Sequence, residues 1–210
     1  MDKGYFGVFA SYSLPIGAFG DTKWIDSSGL AGPGMAFGAE YTLPFPLPMV
    51  SAVGTAFFQT QFFNKSHAKE MNVLKSATHI EGGSYILIPV LAGVKVRFFD
   101  TPLLSLYGQG QFGMNYIRQM AIEWDVIDHF KAEFKPAWHF AFSTQAGIVL
   151  GNTFNISGRL LYSGDPVVEY TITSMASRKR QFDFWSFQIN AGMDFGVPHI
   201  SRKSKEPVTL

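Results

Sequence analysis

Hydrophobic and polar residues alternate along most of this chain, and the alternation is clearest between Ser84 and Ile117. One arm reads SYILIPVLAGVKVRFF and the next LSLYGQGQFGMNYI, joined by Asp100-Thr101-Pro102-Leu103. Ile86, Ile88, Val90, Val94, Val96 and Phe98 fall on one face of the first arm, with Lys95 and Arg97 opposite. Leu104, Leu106, Phe112, Met114 and Tyr116 share a face of the second, against Tyr107, Gln109, Gln111 and Asn115. A period of two over a stretch bounded by a short turn predicts a β-hairpin. Its arms are about twice the usual five or six residues. They are long enough to cross a bilayer at a tilt, which takes about 9–11 residues.

The same pattern recurs along the chain. It predicts arms over 3–15, 31–43, 50–63, 137–150 and 154–162, and a last arm from Trp185 that Pro198 stops. The third arm is the least regular, because Val53 and Phe57 fall on its polar side. Pro44 to Pro48 breaks the chain between the second and third arms, since closely spaced prolines cannot sit in a paired strand. About eight arms result, and the connections alternate long and short. Long external loops, short periplasmic turns and an even strand number are the pattern of outer-membrane barrels. The predicted fold is therefore all-β: an eight-stranded antiparallel up-and-down transmembrane β-barrel spanning residues 1–198, followed by a polar basic periplasmic tail over 199–210.

Composition narrows the picture. Charged residues make up 16% of the chain, below the common share of about 25%, which suits a wall facing lipid. The net charge of +1 gives no reason to expect nucleic acid. With no cysteine, disulfides and thiolate chemistry are excluded. No run of about 18 apolar residues occurs, so no transmembrane helix is expected. Met1-Asp2-Lys3-Gly4 leads straight into alternation, and the chain is read as lacking the secretory signal that an exported barrel carries.

Alternation alone does not say which face is outside. The rival is a lipocalin-like barrel with its apolar face around a ligand. The apolar face here is too bulky for an eight-stranded interior, which holds only side chains or one small ligand. Tyr12, Tyr41, Tyr116, Trp138, Tyr162 and Trp185 cluster near arm ends, as aromatic girdles do. On that register Glu40, Lys95, Arg97, Arg159 and Asp194 point inward with Gln109, Gln111, Gln145 and Gln188. Buried charges need partners, so a hydrogen-bonded, non-conducting plug is expected, with a narrow pore as the alternative.

The pair YILIPVLAGVKVRF and LSLYGQGQFGMNYI resembles the "IP-x-L" strand and following glycine-rich strand of small outer-membrane barrels of Gram-negative bacteria, of the OmpX and PorT type, the latter from Bacteroidetes. The resemblance implies an outer-membrane location and a barrel fold, and says little of activity. Members of the family often end on an aromatic, a part Phe195 would take here.

For chemistry, His139 and Ser143 share a face of one arm, but no carboxylate follows nearby. His67, His79, His129 and His199 show no metal-ligand spacing. No catalytic residue, metal site or cofactor is therefore expected, and an outer-membrane lipid A or phospholipid hydrolase is the alternative function. Past Tyr116 the alternation continues through Met120, Ile122, Trp124 and Val126 and resumes at Phe130 and Phe134. This predicts a hairpin protruding beyond the membrane with one apolar face, a docking surface for a second outer-membrane protein with Trp124 as its hot spot; the alternative is that the external loops on either side fold over the stripe. Arg178, Lys179 and Arg180 fall in the last long loop and could meet lipopolysaccharide phosphates or an acidic partner. The partners expected are outer-membrane lipid, lipopolysaccharide and that second protein.

Overall fold

A computed structural model describes residues 4–21, 29–47, 49–64, 79–125, 129–165, 167–172, 178–181 and 183–196. Eight long strands carry the alternating arms. They are β1 (Tyr5–Ile16), β2 (Ala31–Pro44), β3 (Val50–Phe63), β5 (Tyr85–Asp100), β6 (Leu104–Gln119), β9 (Ala137–Leu150), β10 (Phe154–Tyr162) and β13 (Trp185–Phe195). Each pairs antiparallel with the next, and β1 pairs with β13, which closes the barrel. Closure leaves no strand edge in the wall, the condition for placing a sheet in lipid.

The pleat sorts the side chains by parity, and the sorting is that of a protein with its polar side inward. Phe37, Val90, Phe112, Phe140, Ile156 and Ile189 stand exposed on the wall. Ser13, Gln59, Gln61, Lys95, Arg159 and Gln188 are buried inside. The lipocalin-like arrangement is thereby overturned. Val53 and Phe57, the irregular pair of the third arm, keep their parity and are buried apolar fillers of the lumen.

Five shorter strands form a second antiparallel sheet that the alternation did not predict as such. They are β4 (His79–Gly82), β7 (Ile122–Asp125), β8 (His129–Phe134), β11 (Val167–Ile172) and β12 (Arg178–Gln181), in the order β12-β11-β8-β7-β4. Each belongs to one of three long connections, so the sheet sits at the loop end of the barrel, opposite the short turns. Its polar face is laced by ion pairs: Lys131 to Glu133 at 2.8 Å, Lys135 to Glu169 at 2.8 Å and Lys179 to Glu169 at 3.3 Å. The two lysines donate to Glu169 and hold its carboxyl below the usual range.

Glycine allows very close strand contacts in the wall, as at Gly34 and Gly93. A Cβ on Gly93 would lie 1.9 Å from the Gly110 carbonyl oxygen, whereas one on Gly110 would meet nothing. Gly93→Ala should therefore cost about 1–3 kcal/mol, as overpacking does. Gly110→Ala should stay within about 0.5 kcal/mol of wild type. Urea midpoints of the protein folded into vesicles test this; equal midpoints would mean that β5 and β6 do not approach so closely.

Candidate functional site

The barrel interior holds three stacked layers. At the turn end, Lys95 on β5 meets Glu40 on β2, Nζ to Oε1 2.6 Å, with both side chains out of water. Gln109 donates to Glu40 Oε2 at 3.0 Å and Thr55 donates to the same oxygen at 3.3 Å. The Lys95 ammonium also lies 4.5 Å from the centre of the Tyr107 ring, whose face attracts a cation. Below this pair Arg97 bridges Asp100 at 3.4 Å and donates to the Tyr5 hydroxyl at 3.0 Å, while Ser105 donates to Asp100.

Asp194 lies against Gly7, where any Cβ would approach its Oδ1 to 2.5 Å. Among the described residues its Oδ2 has no partner, and the side chain lines a cavity of about 20 Å³ with Asn155, Ser157 and Asn190. A polar cavity of that size has room for about one water.

The middle layer is built on Arg159. Its Nε donates to Gln145 at 2.8 Å, and its guanidinium lies 4.7 and 4.8 Å from the ring centres of Phe9 and Phe57. Gln145 donates in turn to Tyr107 and Ser157, both at 2.9 Å. Gln188 donates to Gln59 at 2.7 Å, and Gln59 and Gln61 both donate to Ser13. Gln111 donates to Thr55 at 2.8 Å.

The loop end is closed by an apolar cap. A short 3-10 helix (Gly17–Phe19) brings Phe19 against Tyr85 and Phe184, with ring centres 5.1 and 4.5 Å away. Leu87 and Ile117 complete this cluster, and the Tyr85 hydroxyl donates to the Gly29 carbonyl at 2.7 Å.

Three acids (Glu40, Asp100, Asp194) and three bases (Lys95, Arg97, Arg159) thus share the interior, two pairs of them as ion pairs, among amides, hydroxyls and apolar side chains such as Val53 and Phe57. The structure brings together all nine polar residues expected to point inward. Their side chains bond largely to one another, which is the chemistry of a plug, although Gln109 Oε1 and Asp194 Oδ2 have no partner among the described residues.

Ser143 is buried in this packing and donates to Gln111 at 3.4 Å. His139 pairs in register with Asn115 and Ser143 with Gln111, two inward positions apart along β9. Nucleophile and base are not within hydrogen-bond reach of one another, as a catalytic pair requires. Among the described residues no cluster of His, Asp and Glu could hold a metal ion.

No protein-family model matches the chain, and no curated protein matches it in sequence. Solved structures do match in shape. Ail, the attachment invasion locus protein of Yersinia pestis, is 16% identical and aligns over 93% of this chain and 100% of its own, with a TM-score of 0.50. Neisserial surface protein A is 11% identical over 91% of this chain and 95% of its own, with a TM-score of 0.49. The outer membrane protein OprG of Pseudomonas aeruginosa is 14% identical over 92% of this chain and 97% of its own, with a TM-score of 0.48.

The chain has the fold of the small eight-stranded outer-membrane barrels.

The likeness speaks to fold, and the finer PorT-type grouping does not follow from it. Within this barrel fold the apolar stripe departs from the exposed docking surface and is covered at Ile122 and Trp124. Met120 is half-exposed, but Ile122 and Trp124 are only 7% and 8% exposed. Met120 and Ala121 leave the strand, and the chain pivots against Gly82 and Gly83, both with positive φ. Ile122 now packs by Gly83 and Phe63, inside rather than out. The physical reason is the change of solvent: beyond the bilayer an apolar face cannot stay outward, and the two glycines let the hairpin turn it under. Trp124 is therefore not an exposed hot spot. Val126 lies outside the described residues, and for Phe130 only the backbone, paired with Trp124, is described. Phe134 is half-buried on β8.

Arg178, Lys179 and Arg180 form β12, a strand at one edge of the second sheet. Lys179 is exposed and ion-paired with Glu169.

Sequence reasoning missed Phe19, Phe184, Phe9, Leu91 and Leu161 as lumen-filling groups. Inward parity within their arms marked Phe9, Leu91 and Leu161. Nothing local marked Phe19 or Phe184, which lie in connections.

Proposed function

We propose that this chain is a non-enzymatic outer-membrane barrel. It serves as a closed anchor and presents the sheet at its loop end, outside the cell, to a second outer-membrane protein. The observation that carries this reading is the interior filled from the Arg97–Asp100 pair to the Phe19–Tyr85–Phe184 cap. A wall that encloses no path leaves the surface as the part that can act. With an even number of wall strands, β1 begins and β13 ends at the end of the barrel that carries the short turns, the end this reading turns toward the periplasm. The basic run on β12 is the candidate contact for lipopolysaccharide phosphates, with charge-assisted hydrogen bonds as the attraction.

The narrow-pore reading is separated by planar-bilayer recording, in which the wild-type protein should give no discrete conductance steps. Reproducible steps would overturn the closed-anchor reading. Gentle solubilisation should recover the chain with a second membrane protein, and recovery of the chain alone would count against the presenting role. A lipid hydrolase draws no support from Ser143, whose hydroxyl is bonded to Gln111.

A further inference from the structure

The three short turns are chemically unequal. The β2–β3 turn exposes Phe45, Leu47 and Met49, and the β5–β6 turn exposes Phe98, Phe99 and Leu103, at 42–79% of their full surface. The β9–β10 turn is Gly151-Asn152-Thr153, with Gly151 and Asn152 both at positive φ. The first two turns are neighbours in the barrel and touch, Arg97 N–H donating to the Met49 carbonyl at 2.8 Å, and the third adjoins the second, Gly151 N–H donating to the Leu103 carbonyl at 3.0 Å.

We propose that this side of the turn end is sunk in the acyl chains of the leaflet around it, while the β9–β10 turn stands in water. The barrel is thus anchored unevenly in the membrane. The proposal rests on the outer-membrane reading above and says where that barrel's lipid boundary runs.

Three observations carry it. The patch is continuous with the lipid-facing wall. Phe98 is the extra residue of a bulge between Arg97 and Phe99, and its ring lies 3.0 Å from where an outward Cβ on Gly108 would stand. Leu43 and Leu106 are exposed beside it on the same wall.

The backbone is also prepared for lipid, where each unpaired N–H or C=O is costly. Pro44, Pro46 and Pro102 bring no N–H. Phe45 N–H donates to the Val50 carbonyl at 3.1 Å, and Val50 N–H to the Leu47 carbonyl at 3.4 Å. Thr101 N–H donates to the Leu104 carbonyl at 2.9 Å, and Leu104 N–H to the Thr101 hydroxyl at 3.0 Å.

Finally, the one charged side chain of these turns is withdrawn. Asp100 points to Arg97 and Ser105 at the lumen rim. A turn facing a water-soluble partner has no need of any of these devices. Exposed turn residues in water are usually polar.

Because the sequence has no cysteine, single cysteines can each carry one nitroxide. Leu47→Cys, Leu103→Cys, Asn152→Cys and Ile189→Cys are folded separately into phosphatidylcholine vesicles with no other protein present. Power-saturation spectroscopy then compares collisions with oxygen, which concentrates in acyl chains, and with a water-soluble nickel chelate. The oxygen-to-nickel ratio at Leu47 and Leu103 should match that at Ile189 in kind and exceed that at Asn152 severalfold. A nickel-favouring ratio at Leu47 and Leu103, equal to that at Asn152, overturns the uneven anchor. If Ile189 keeps its lipid signature in that case, the membrane reading survives and only the anchor fails. A nickel-favouring ratio at Ile189 as well would remove both.

Discussion

Glu40→Ala should destabilise the folded barrel by about 3–5 kcal/mol, the cost of stranding one member of a buried ion pair. Lys95 is 1% exposed, so its ammonium has no recourse to water once Glu40 is gone. Gln109 and Thr55 lose their acceptor at the same time. Removing both charges, as in Glu40→Leu with Lys95→Met, should return much of the loss, because an apolar pair of similar volume needs no partner. The check is urea unfolding of vesicle-embedded protein, followed by the gel mobility of unboiled samples, for both single variants and the double. If Glu40→Ala costs less than about 1 kcal/mol, the value of an ordinary hydrogen bond, Lys95 has found another anion. Asp194, whose Oδ2 is unmatched nearby, would then be the acceptor.

The second large effect lies on the opposite face. Ile189 is 52% exposed and central on β13, between Tyr12 and Gly158 in register. In a water-soluble barrel an exposed isoleucine can become arginine with a change within about 0.5 kcal/mol. In a lipid-facing wall the same change near the bilayer midplane should cost about 2–4 kcal/mol. The same unfolding assay reads it, and a neutral Ile189→Arg would mean that this face does not meet lipid. The two substitutions together test one arrangement from both sides: charge held inside, apolar surface held outside.

How much of this was legible in the sequence follows from what a period of two can and cannot encode. Each arm of the wall alternates for 9 to 16 residues, and each became a strand with boundaries shifted by a residue or two. Over such lengths parity settles which side chains share a face, so Glu40, Lys95 and Arg159 could be placed in one interior before any contact was known. The pairing Lys95–Glu40 could not, because parity gives a face and not a height along the barrel.

The second sheet was hidden for a different reason. Strands of 4 to 6 residues hold too few alternations to separate from noise. The run from Tyr116 to Trp124 also looks continuous, although the chain turns over between Gln119 and Ile122. The signal for that pivot lay 36 positions away from Gln119, at Gly83, whose carbonyl accepts from the Gln119 amide. A neighbour in space, not in sequence, decided which way Trp124 faces.

The pairing of β1 with β13 has a consequence for how the molecule is made. Ser11 and Asn190, 179 positions apart, hydrogen-bond across that seam. No shorter piece of the chain can form it, so the first strand keeps one edge open until the last has been synthesised and exported. An open edge cannot rest in hydrocarbon, because its row of amides and carbonyls has nothing to bind. Contacts this distant in sequence are also slow to form. Entry into the bilayer and sealing of the cylinder must therefore finish as one late event. Until then the open edge stays unpaired, and the rate at which the two ends meet governs how long it is exposed to proteases and to other unfinished strands.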